Sequence, residues 1–130
     1  MLLATVAIAA PAKITRRATL SGRWQVVSAL ANGVPRADPE ISGSIWTFDL
    51  PRLLVHDGLG KDTTYDCVVS ERYLHLTPAS GKGGWIKYEL DKEGLRLAFF
   101  DDLQGKPRSF ESVPGRKDPL LVVIRLVPVP

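Results

Sequence analysis

Apolar and polar residues alternate with a period of two over most of this chain, in short runs separated by Gly, Pro, Asn, Asp and Ser. The first such run, Leu20-Ser21-Gly22-Arg23-Trp24-Gln25-Val26-Val27-Ser28, opens with Gly22-x-Trp24. A glycine beside a tryptophan at a strand's start suits the closed end of a small barrel, where the backbone bends sharply and one large ring plugs the floor. Strict alternation puts Gly22, Trp24, Val26, Ser28 and Leu30 on one face, with Arg23 and Gln25 on the other. Asn32-Gly33-Val34-Pro35 is a turn signal, and Asp38-Pro39 reads as an N-cap with proline at the first helical position. Only about one turn of helix fits before Gly43, so this long connection is a candidate lid over one end.

The remaining runs follow the same rule. Trp46, Phe48 and Leu50 share a face, and residues 45–57 read as one bent strand or two, interrupted at Pro51-Arg52. Further strands are expected over residues 63–70, 73–77, 85–90 (Ile86, Tyr88 and Leu90 inward), 95–100, 107–112 and 120–127. About eight or nine short strands, turn signals every 8–12 residues or so and no amphipathic helix of useful length define an all-β chain. Helix–strand alternation is missing, which sets aside a parallel α/β sheet. The expected fold is one antiparallel up-and-down β-barrel of about eight strands; a two-sheet sandwich would find no Cys…Trp…Cys spacing here.

At 130 residues the chain holds one domain. Residues 1–18 read as a leader and 19–130 as the barrel. The apolar start, residues 1–12, is too short to span a bilayer as a helix, and it ends in Ala10-Pro11-Ala12, a small-x-small cleavage pattern. No Lys or Arg precedes it, so the charged beginning of a secretory signal is missing. Export to the periplasm or the medium is expected, with a cytoplasmic location if the leader is not a signal peptide. The net charge of +3 is spread among acidic residues, with no basic run interleaved with aromatics, so no nucleic-acid footprint is present. Cys67 is the sole cysteine. It excludes an intramolecular disulfide and a Cys-based metal cluster, and in Cys67-Val68-Val69 it reads as a small buried hydrophobe.

The order of motifs resembles a lipocalin-like (calycin) family of small bacterial proteins, planctomycete-type and of unknown function. The resemblance rests on Leu20-x-Gly22-x-Trp24-x-Val26-Val27-Ser28, Asn32-Gly33, Glu40-Ile41-x-Gly43, Tyr88-Glu89-Leu90-Asp91, Gly94-Leu95-x-Leu97, Gly105-Lys106-Pro107-Arg108 and the closing Leu120-Leu121-Val122-Val123-Ile124-Arg125. It implies a barrel floor built from Gly22, Trp24 and Arg125, the arginine of the last strand stacking on the tryptophan. This chain is shorter than typical lipocalins, so the resemblance implies a shallower cup.

Candidate chemistry is sparse. His56 and His75, the only histidines, would need Asp57 or Asp66 and side-by-side strands to make a metal or acid–base site; alone, each reads as a solvent-facing imidazole. Gly81-Lys82-Gly83-Gly84 lacks the spacing and following helix of a phosphate cradle. Asp101-Asp102 would point to opposite faces of a strand. No Gly-x-Ser-x-Gly elbow occurs. No catalytic residue, metal ligand or cofactor is assigned, and the expectation is a non-enzymatic domain.

The apolar inward face remains. Trp46, Phe48, Tyr88, Leu97, Phe99 and Phe110 are the candidate ligand-contacting residues, joined by Trp24, Val26 and Leu90 in the interior. Eight strands leave an interior only just wide enough for side chains, so these residues either fill the barrel or leave an open end for a small hydrophobic ligand. The leading expectation is ligand binding in a shallow cup. The alternative is a structural or protein-interaction module with a filled interior, in which Trp85 sits at a rim for a protein contact.

Overall fold

The alternating runs become strands because each buries one row of side chains and leaves the other to water. The computed structural model describes residues 20–101, 103, 105–111 and 120–130. The leader over residues 1–18, the first barrel residue Thr19, Asp102 and Ser112 lie outside these residues. The strands are β1 (Gly22–Ala31), β2 (Val34–Pro35), β3 (Ile45–Asp49), β4 (Arg52–His56), β5 (Asp62–Val69), β6 (Tyr73–Pro78), β7 (Gly84–Asp91), β8 (Gly94–Phe100) and β9 (Leu121–Pro128).

Around the sheet the order is β1-β3-β4-β5-β6-β7-β8-β9, every neighbour antiparallel, and β9 pairs back onto β1. The chain is therefore a closed eight-stranded antiparallel barrel, with β2 added beside Leu30 and Ala31. The lower end holds the start of β1, the hairpins at 50–51, 70–72 and 92–93, and the end of β9. The upper end holds the Asn32-Gly33 turn, the 36–44 connection, and the loops at 57–61 and 79–83.

One continuous core fills the interior from the lower end upward. Leu20, Leu53, Leu74, Leu95, Leu97 and Leu126 are wholly buried, and Phe48, Cys67, Leu76, Ile86 and Ile124 nearly so. Each large apolar side chain removed from water this way contributes about 1.5–3 kcal/mol before the entropy of ordering it. Trp24 sits in this core, and its indole Nε1–H donates to the Leu20 carbonyl at 2.9 Å. That bond holds the segment entering β1 against the barrel floor. Gly22, with φ of +115°, makes the bend just before the ring.

Three expectations need correction. Strict alternation fails in β1, where the register against β9 shifts between Val26 and Ser28. A bulge admits one extra residue and flips the parity beyond it. Ala29 and Ala31 therefore point inward, while Val27, Ser28 and Leu30 are exposed. Second, no strand forms over residues 107–111. β8 pairs directly with β9 from Leu95–Leu126 to Phe100–Leu121, which leaves no edge between them for another strand. Third, Arg125 does not stack on Trp24. Ile124 and Leu126 face the core, so Arg125 faces outward, where it donates to both Asp91 carboxylate oxygens at 2.8 and 3.1 Å. The Asp91 carboxyl is held below the usual carboxylate range, first by the Glu93 backbone N–H and then by Arg125.

Residues 45–57 are two strands joined through Leu50 and a cis Pro51. In the connection after β2, the Ile41 and Ser42 amides both donate to the Asp38 carbonyl, a single turn rather than a helix. Ile41 packs on the core from above.

The segment 105–111 runs over the outside of β6, β7 and β8. Pro107 is buried there and accepts a hydrogen bond from the Tyr73 hydroxyl at 2.6 Å. The Lys106 ammonium lies 4.4 Å from the Tyr73 ring and 4.5 Å from the Trp85 ring. Lys87 lies 5.1 Å from Tyr73 and 5.7 Å from Phe110, and the Arg96 guanidinium 4.1 Å from Phe110. Rings and cations thus alternate from Trp85 to Arg96. Each such contact contributes about 0.5–1 kcal/mol where water has access.

Candidate functional site

Of the six residues expected to contact a ligand, five face the barrel interior and one does not. Trp46, Phe48, Tyr88 and Leu97 are buried in the core, and Phe99 is half-buried on the same face near the upper end. Phe110 is outside, in a second cluster with Ala98, Leu121, Val123 and Phe100. The placement of Phe110 corrects the inward expectation: without a strand around it, period two says nothing about its direction.

The interior is not uniform along its axis. The lower and middle layers are filled by the wholly buried leucines, Phe48 and Ile86. Towards the upper end, Val55, Thr63, Tyr65 and Phe99 are only half-buried, beneath Ile41 and Leu103. Leu103 approaches so closely that its backbone oxygen lies 2.4 Å from where a Cβ on Gly84 would stand. A side chain at Gly84 would push this cover off the rim.

Tyr65 is the residue that the sequence reading missed. The alternation Thr63, Tyr65, Cys67, Val69 carries it inward, a signal that was available. Burial pushes its phenol above the usual tyrosine range. The other two tyrosine hydroxyls are bonded, Tyr73 to Pro107 and Tyr88 to the Ser70 carbonyl at 2.8 Å. The Tyr65 hydroxyl has no hydrogen-bond partner among the described residues.

Below Tyr65 on the same strand, Cys67 is buried, and burial pushes its thiol up to about 11. The thiolate is the reactive form, so at pH 8 a disulfide reagent should label the folded protein roughly a hundredfold more slowly than the urea-unfolded chain. Comparable rates in both states would place the thiol at the surface.

The histidines lie apart, on β4 and β6 with β5 between them. His56 pairs with Asp62 on the exposed outer face, and the His75 ring packs edge-on to Trp85 at 4.6 Å. Neither Asp57 nor Asp66 joins them. Asp57 instead accepts the Leu59 and Lys61 amides in its own loop. No group of three or more His, Cys, Asp or Glu side chains among the described residues is arranged to hold a metal ion. Trp85, expected at a rim, lies on the outer face under Lys106. Among the described residues no helix is long and apolar enough to cross a membrane. No family model, curated protein or solved structure matches the chain.

Proposed function

We propose that the barrel is a non-enzymatic binding domain that takes a small, mostly apolar molecule into a shallow cup at its upper end. The observation that carries this reading is Tyr65, half-buried on the inward face of β5, whose hydroxyl bonds to no other described residue and so is open to a hydrogen-bonding guest. Like Val55, Phe99, Ile41 and Leu103, it is only partly buried where it packs against the core. An apolar lining with one or two placed polar groups is the usual make-up of a small-molecule site. The filled lower layers limit the guest's depth, so a compact molecule with one hydrogen-bonding group fits better than a long chain. The eight-stranded ring and the Gly22–Trp24 floor support a lipocalin-like assignment, and the leader over residues 1–12 supports export.

The test uses 2-naphthol, which has an apolar body and one hydroxyl. Saturable binding is expected, and Tyr65→Phe should weaken it about 5–10-fold, the worth of one hydrogen bond, while the fold is kept. Binding that ignores both Tyr65→Phe and Phe99→Ala would remove the upper cup as the site. Native mass spectrometry of protein from its own host should show a mass excess that is lost on denaturation. Its absence would favour the second reading, a filled structural barrel, for which the wholly buried lower core is the supporting observation.

A further inference from the structure

At the lower end, on the side away from the cup, a cleft of about 310 Å³ opens between the 70–72 hairpin, β7 and Phe110. We propose that this cleft binds a small organic carboxylate whose apolar part is flat. The inference is independent of the upper cup and would stand if the cup proved empty.

Three features point to that chemistry. The first is the charge balance of the lining. Among the described residues Arg72 makes no ion pair, and Lys87 meets only the Tyr73 and Phe110 rings. Two carboxylates also line the cleft, but Glu89 is neutralised by Arg96 at 2.6 Å, and Glu71 is itself engaged. With Arg96 counted, three cations stand against two carboxylates around the cleft, and a guanidinium is well shaped to grip a carboxylate.

The second feature is an open strand edge. Pairing of β6 with β7 stops at Tyr73–Lys87, after which the Tyr88 amide donates to the Arg72 carbonyl at 3.0 Å. Peptide groups alternate sides along a strand, so those of Leu90 face the same way as those of Tyr88. There the hairpin has already turned back, and Leu90 lines the cleft. Its N–H is a donor with no strand opposite among the described residues.

The third feature is the Phe110 ring, one wall of the cleft. It is polarised by the Arg96 guanidinium 4.1 Å away, whose Nε is buried without a partner among the described residues. A ring next to a cation and a backbone donor fits an aromatic or similarly planar acid better than an inorganic anion.

The test is an NMR titration of the full chain with benzoate, acetate and benzylamine. Benzoate should saturate in the millimolar range, shifting the amides of Arg72, Tyr88 and Leu90. Acetate, with the charge but no ring, should bind about tenfold more weakly, and benzylamine should leave those amides unmoved. Arg72 is exposed, so Arg72→Gln should preserve the melting temperature and weaken benzoate about tenfold. Lack of saturation, equal binding by Arg72→Gln or by benzylamine, or shifts centred on Tyr65 and Phe99 would each overturn the site.

Discussion

Replacing Trp24 by alanine is expected to lower stability by about 3–5 kcal/mol, the range for removing a buried tryptophan from a core that cannot fully collapse. The ring occupies the floor beside Leu20, and its indole N–H is bonded to the Leu20 carbonyl. Trp24→Phe keeps most of the volume but drops the bond, and about 1–2 kcal/mol should be lost. Arg125→Ala supplies the contrast. Its partners Asp91 and Glu93 are on the surface, so about 1 kcal/mol or less is expected. Urea unfolding of the three variants measures all of these. A cost for Trp24→Ala no larger than that for Arg125→Ala would mean that the floor is held by something other than the ring.

Gly94→Ala is expected to cost at least about 3 kcal/mol, because two separate penalties fall on one position. The backbone there has φ of +123°, where side chains are strained. An added Cβ would also stand 2.3 Å from the Leu126 carbonyl oxygen of β9, a backbone atom that cannot swing away. Gly81→Ala is the control: nothing lies within 4 Å of its Cβ position and its φ is not in the left-handed region, so little change is expected. Equal stabilities for the two alanine variants would show that β8 and β9 are not in such close contact.

The fold was legible because period two is strong wherever a strand has one buried face. Trp46 and Phe48, Ile86 and Tyr88, and Leu95 and Leu97 all face inward as the alternation requires. Period two fails wherever backbone geometry intervenes. The bulge after Val26 leaves no mark in the order of apolar residues, so strict alternation puts Leu30 on the wrong face. Phe110 looks like a strand residue because it follows Pro107-Arg108-Ser109, yet β8 and β9 had already paired with each other. Arg125 shows a different limit. A motif can say that an arginine occurs in the last strand, but the parity of that strand decides which side it occupies. The candidate cup was half legible, since alternation exposes Tyr65, whereas the lack of a hydrogen-bond partner exists only in three dimensions. The lower cleft was not legible at all, because Arg72 and Phe110 are distant in sequence and meet only once 105–111 lies over β7.

The ring is shut by a single strand that arrives late in the chain. β9 bonds to β8 on one side and to β1 on the other, matching Trp24 with Pro128. While the polypeptide emerges from the ribosome, everything up to Phe100 can form neighbour-to-neighbour pairs, but both outermost strands then present unsatisfied peptide groups. Such edges recruit other chains. The interval between synthesis of Phe100 and docking of Leu121–Pro128 is thus the time of greatest exposure to aggregation. A circular permutant that places β9 ahead of β1 would make this seam a local pairing and shorten the interval.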